Sequence, residues 1–204
     1  MSGELLRLLA CPRCQGELDG EGSSRVYTCA ACRTARFMPA PEKAFPLVYL
    51  EAAVPSEGRR TLYAPFWRLE GRASWRCEEG SKAGAYRAMT PLGSLYFPAF
   101  WNPKAPYHEN LTQAYALLPE PPREAEAGAG PILPGVVDPA NLARMACLTW
   151  LGYLDRVQDV TGVELRFEAS SVAYAAVPFF RGPKLWVDGV LGHTFPDAYF
   201  FGLR

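Results

Sequence analysis

Six cysteines and two histidines are the residues of this 204-residue chain best equipped for chemistry, and four of the cysteines stand in a metal-binding spacing. They fall in two C-x-x-C pairs, Cys11-Pro12-Arg13-Cys14 and Cys29-Ala30-Ala31-Cys32. Each pair predicts a knuckle that aims two sulfurs at one point, and two knuckles supply the tetrahedral four-thiolate set that zinc prefers. Iron is the other ion this donor set admits. With all four positions taken by sulfur, none is left open for water or substrate, so the expected role of the metal is structural. A unit of about 40 residues buries too little apolar surface to fold alone, whereas zinc contributes roughly 10 kcal/mol or more to such modules.

The other candidates stand in no catalytic frame. His108-Glu109-Asn110 lacks the second histidine of a zinc-protease helix, and His193 follows Gly192 shortly after the turn Asp188-Gly189. Both read as surface or turn residues. Cys77, in Trp75-Arg76-Cys77-Glu78-Glu79, has no base beside it in sequence and reads as a reduced thiol near a strand end. Cys147 falls on a helix and reads as a packed or free thiol. The sequence contains no phosphate loop, dinucleotide glycine pattern or nucleophile-elbow serine. Asn110-Leu111-Thr112 has the spacing of a glycosylation acceptor, which is without meaning in a cytosolic protein.

The elements that must position the four cysteines are short. Gly16, Gly20 and Gly22 with Ser23 and Ser24 mark a turn, and Arg25–Thr28 reads as the strand that delivers the second knuckle. Residues 1–46 carry Arg7, Arg13, Arg25, Arg33, Arg36 and Lys43 against Glu4, Glu17, Asp19, Glu21 and Glu42. A four-thiolate zinc centre tips this near balance to the acidic side. Arg13, Arg33 and Arg36 therefore read first as donors that offset the sulfur charge, with phosphate binding as their other possible role. The segment Leu5-Leu6-Arg7-Leu8-Leu9-Ala10-Cys11-Pro12-Arg13-Cys14-Gln15-Gly16-Glu17-Leu18, followed by the second knuckle, resembles the short zinc-ribbon proteins related to the methyltransferase-activating subunit. The resemblance extends over about the first 45 residues. After Cys32 the Tyr-Pro and Gly-Ile-Pro elements of those proteins are replaced by Arg36-Phe37-Met38-Pro39 and Ala44-Phe45-Pro46-Leu47-Val48. It implies a small partner-binding ribbon.

Beyond the ribbon the chain turns aromatic. Hydrophobic residues make up 49% and charged residues 21%, an ordinary globular balance, so the chain is expected to fold. The expected division is a zinc ribbon at 1–46, a connecting strand and linker at 47–60, and a mainly β domain at 61–204 with a helix near 139–159. Strands are expected at Tyr49–Val54, Leu62–Leu69, Ala73–Cys77, Ala85–Met89, Leu95–Phe100, Val163–Glu168, Val172–Phe180 and Leu185–Val187. The class is α+β, mainly β, with an antiparallel sheet. Three segments share a tyrosine, a proline and an aromatic pair: Leu62–Arg68, Leu95–Trp101 and Ala173–Arg181. They read as aromatic core packing on related strands, with an exposed binding groove as the alternative. Asp138-Pro139 signals a helix start, with Leu142, Met145, Ala146, Thr149, Tyr153, Leu154 and Val157 on its core face. A shorter helix is expected at about 110–118. Residues 119–137, rich in Pro, Gly and Ala, read as a long irregular loop, either mobile or laid against a partner.

Lys plus Arg and Asp plus Glu both total 21, so no basic field gathers nucleic acid. The start of the chain lacks the pattern of a signal peptide, and no apolar run approaches the ~18 residues needed to span a bilayer. Cytoplasm is the expected location. Together these readings predict a non-catalytic zinc-ribbon protein that acts as an interaction or assembly subunit of a larger complex, its protein partner unknown. A nucleic-acid-binding ribbon and an enzyme with a site assembled in the β domain are the alternatives.

Overall fold

Side chains alternate between two apolar faces along two long strands, and that alternation organises the molecule. The computed structural model describes residues 10–20, 22–38, 40, 42–77, 94–101, 105–128, 130–155 and 159–197. In chain order the elements are β1 (Val26–Cys29), β2 (Thr34–Phe37), β3 (Ala44–Leu50), β4 (Thr61–Cys77), β5 (Ser94–Pro98), α1 (Ala105–Ala116), β6 (Glu124–Ala125), a 3-10 turn (Pro139–Asn141), α2 (Leu142–Asp155), β7 (Val163–Arg181), β8 (Leu185–Asp188) and β9 (Thr194–Pro196). The expected strand at 85–89 and the leucine-rich start of the chain lie outside the described residues.

The protein is mainly β, built on one sheet in the order β1-β2-β3-β7-β4-β5. β6 pairs with β3, and the β8–β9 hairpin extends from β7. The sheet is mixed: every pairing between named strands is antiparallel except that of β3 with β7.

Two pairs of expected strands are each one continuous strand. Leu62–Leu69 and Ala73–Cys77 belong to β4, and Val163–Glu168 and Val172–Phe180 belong to β7. The reason is a β-bulge, with Glu70 opposite Ser171 and Gly71 opposite Ala169, so that Ser170 is the extra residue. Gly71 therefore marks a bend inside a strand rather than its end. A Cβ there would collide with the Glu168 carbonyl and the Phe167 ring. The strand expected at Tyr49–Val54 runs earlier, at Ala44–Leu50, and beyond it the N–H groups of Ala53 and Val54 donate to the Gly189 carbonyl.

On one face Tyr63, Trp67, Leu69 and Ala73 of β4, Leu95 and Phe97 of β5, and Phe167, Tyr174 and Ala176 of β7 share a core with Leu142, Ala146, Trp150 and Leu154 of α2. Val26, Ala35 and Phe37 of β1 and β2 join that core. On the other face Leu62, Ala64 and Phe66 meet Tyr96, Ala175, Val177 and Phe179, covered by Leu111 and Tyr115 of α1 and Trp186 and Phe195 of the hairpin. The three aromatic repeats thus lie on three neighbouring strands and fill both cores, and Phe66, Trp67, Phe97, Tyr174 and Phe179 are at most 1% exposed. Trp101, at the end of the second repeat, is 60% exposed.

Asp138 caps the 3-10 turn through the Ala140 N–H, 2.9 Å, and α2 follows from Leu142. α1 begins at Ala105, five residues before the expected start, because Pro106 sits in the first turn, where its missing N–H costs nothing. The long connection 119–137 is laid against its own chain. β6 pairs with β3, the Tyr63 N–H donates to the Pro131 carbonyl, the Leu133 N–H to the Tyr63 carbonyl, and the Val136 N–H to the Ala99 carbonyl. Trp67 Nε1 donates to the Val137 carbonyl at 2.9 Å. Side chains add to these backbone anchors: Arg68 pairs with Glu124 at 2.6 Å, Leu133 is buried in one core, and Ile132 and Val137 pack against the other, at spacings that follow no regular period.

Candidate metal centre

The two knuckles share one backbone device. The residue after the second cysteine of each is left-handed although it is not glycine: Gln15 has φ 62° and Arg33 has φ 50°. This turns the chain sharply back and brings each pair of sulfurs to the same side. In the first knuckle the Gln15 N–H donates to the Cys11 carbonyl, 2.8 Å, and the Cys11 N–H to the Gly16 carbonyl, 2.7 Å. The second knuckle caps the β1–β2 hairpin, in which Cys29 stands opposite Thr34. A bridge from Asp19 to Thr28 ties the first knuckle's return strand to β1.

The four sulfurs of Cys11, Cys14, Cys29 and Cys32 lie within 4.8 Å of one another. Across the knuckles Cys11 Sγ is 3.6 Å from Cys32 Sγ, and Cys14 Sγ is 3.5 Å from Cys29 Sγ. Tetrahedral coordination with metal–sulfur bonds of about 2.3 Å places sulfurs about 3.8 Å apart, so the cluster fits a metal with little adjustment. A Cβ on Gly16 would lie 3.2 Å from the Ala31 Cβ and 3.3 Å from Cys14 Sγ, so glycine is what permits the close approach.

Electrostatics support the same reading. Burial raises the Cys11 thiol, but the N–H groups of Arg13 and Cys14 and the adjoining sulfurs outweigh it and bring it down to about 6. Cys14 is lowered by the Gly16 N–H, yet Cys29, Cys32 and Cys11 push it up to about 12. Four sulfurs packed this closely cannot all carry charge without a cation among them. Backbone N–H groups of Arg13, Cys14 and Gly16 face the cluster, and the Thr34 hydroxyl lies 3.1 Å from Cys32 Sγ. Arg13 and Arg33 are exposed, whereas Arg36 is 5% exposed on β2 and is removed from any surface role.

Besides the β2–β3 pairing that continues the sheet, the ribbon is tied to the 119–137 connection at Gly135. The Arg25 and Val26 N–H groups donate to its carbonyl at 2.7 and 3.1 Å. A Cβ there would collide with the buried Tyr174 hydroxyl.

The remaining candidates stand apart from the cysteines. His108 lies half-buried on α1 with its ring 5.3 Å from that of Phe100, and burial lowers its pKa to about 4, so it is neutral. His193 is exposed beside a shallow cavity of about 460 Å3 lined by Asn110, Leu111, Gly192, Thr194 and Phe195. The Asp188 N–H donates to the His193 carbonyl. The Asp188 carboxylate turns inward instead, accepting from Tyr115 Oη at 2.9 and 3.0 Å and from the Val190 and Leu191 N–H groups at 2.8 and 3.0 Å. Cys147 is partly buried near the Leu165 carbonyl. Cys77 ends β4, and its side chain lies outside the described residues. Thr34 and Asp188 are the polar groups sequence reading passed over. Thr34 had a findable signal, a hydroxyl two residues after a ligand.

Comparison with protein-family models, curated proteins and solved structures finds no match for this chain. Among the described residues no helix is long and apolar enough to cross a membrane.

Proposed function

We propose that this protein is a cytoplasmic interaction or assembly subunit whose N-terminal zinc ribbon, of the methyltransferase-activator-like type, has a structural and not a catalytic role. The observation that carries this is the closed sulfur cluster: four thiolates fill a tetrahedral zinc, and a metal so enclosed organises a surface rather than activating a substrate. Zinc is the ion we assign, because paired C-x-x-C knuckles are its usual structural site; the four-thiolate set by itself also suits iron. Both aromatic faces of the sheet are covered by the chain itself, while Trp101, Leu117 and Leu148 stay 58–60% exposed, the kind of residue a partner covers. The burial of Arg36 weakens the alternative of phosphate binding through three arginines.

The test is native mass spectrometry of the protein isolated from its own cell. One zinc per chain and a stoichiometric companion, lost in Trp101→Glu, is the expected result. A metal-free monomer, or a tight salt-dependent complex with single-stranded oligonucleotide, would overturn it.

A further inference from the structure

The four corners of the metal centre are unequal. Cys11 and Cys29 are 0% exposed and share a small apolar cluster with Leu18. Cys32 is half-buried and packs against that cluster. Its sulfur meets the hydroxyl of Thr34, itself 4% exposed and held opposite Cys29 by the hairpin register. Cys14 is exposed. Gly16, beside its sulfur, has no side chain to cover it. Cys29 and Thr34 also end paired strands, whereas Cys14 sits on a tight loop outside any strand.

We propose that Cys14 is the ligand that detaches first whenever the centre exchanges or loses its metal, and that Thr34 holds Cys32 in place as a positioning residue. This rests on the metal-centre reading above. A thiolate that water and small soft donors can reach is the one an incoming chelator displaces, because attack needs a path to the metal that the buried corners deny. The Thr34 O–H donates to the Cys32 thiolate and spreads its charge, as outer hydrogen bonds to metal ligands do, and so retains it.

The experiment uses the full chain loaded with zinc, with one ion per chain established first by elemental analysis. A chain that binds no ion refutes the metal reading itself, separately from the present inference. The loaded protein is challenged with limiting EDTA and pulsed with N-ethylmaleimide, whose alkene takes the thiolate sulfur while its carbanion takes a proton from water. Peptide mapping then orders the cysteines by labelling. Cys14 leads, Cys32 follows, and Cys11 and Cys29 come last. Thr34→Val brings Cys32 level with Cys14, weakens metal retention about tenfold and moves the sulfur-to-metal charge-transfer band of the cobalt-substituted protein, and Thr34→Ser restores all three. Simultaneous labelling of the four cysteines, or Cys32 leading in the unsubstituted protein, overturns the proposal without requiring any variant to fold. So does a Thr34→Val protein with unchanged labelling order and band.

Discussion

Asp188 makes stability fall as pH rises, against the usual direction for a carboxylate. Burial pushes its pKa up from 3.8 to about 6, outweighing the Leu191 and Val190 N–H groups, the Tyr115 hydroxyl and the nearby His193, all of which lower it. The folded state therefore holds its proton more tightly than the unfolded chain does. The stability this gives is complete below about pH 4 and is lost as pH rises through about 6. Two units at about 1.4 kcal/mol each make the loss about 3 kcal/mol. Asp188→Asn removes the ionisation while its oxygen still accepts from the turn amides and its amide donates to Tyr115 Oη. The Tyr115 phenol, held well above its usual range by burial and by Asp188, stays protonated throughout. Urea unfolding of both proteins from pH 4 to 7.5 is the assay, and the quantity to read is their difference, because metal loss at low pH affects both alike. The variant should gain on the parent by about 3 kcal/mol across the window, with most of the change between pH 4 and 6.5. A difference that does not vary with pH would falsify the buried-carboxylate account.

Three further outcomes follow from the packing. Gly135→Ala should cost about 1–3 kcal/mol in urea, and Tyr174→Phe, which removes the colliding hydroxyl, should recover part of that loss in the double variant. Phe66→Ala, at a fully buried position between Phe100 and Tyr115, should cost about 3–5 kcal/mol. Removing the metal with a chelator should raise hydrogen exchange not only at Val26–Phe37 but also at Val136 and Val137, because Gly135 loses the two N–H donors that β1 supplies. Exchange confined to the knuckles would contradict that link.

The cysteine cluster was the most legible feature, because a C-x-x-C pair carries its geometry in four residues. Existence and type of the elements were also readable wherever apolar period held, as in α2 and the centres of β4 and β7. The errors have local causes. Gly71 and the Ala169-Ser170-Ser171 stretch look like strand ends, yet one extra residue absorbed as a bulge keeps both strands running. Arg36 was read as a donor to the sulfurs or to phosphate, but all four residues of β2 are buried and its faces do not alternate. Residues 119–137 lack a period because backbone groups hold much of the stretch and its core-facing side chains, Ile132, Leu133 and Val137, follow no regular spacing. Asp188 was read as a turn residue without its buried partner, since Tyr115 lies 73 positions away.

The parallel pairing of β3 with β7 sets a clock on the chain's own synthesis. Ala44–Pro46 of β3 pairs with β2 a few residues away, but Leu47–Tyr49 must wait for Tyr174–Ala176. The metal-binding hairpin can close as soon as its residues leave the ribosome. The β7-facing edge of Leu47–Tyr49 stays open until Tyr174–Ala176 have been made. Metal capture and closure of this edge are thus separated by the synthesis of everything between Tyr49 and Tyr174, and that interval is when the sheet is most exposed to misassembly.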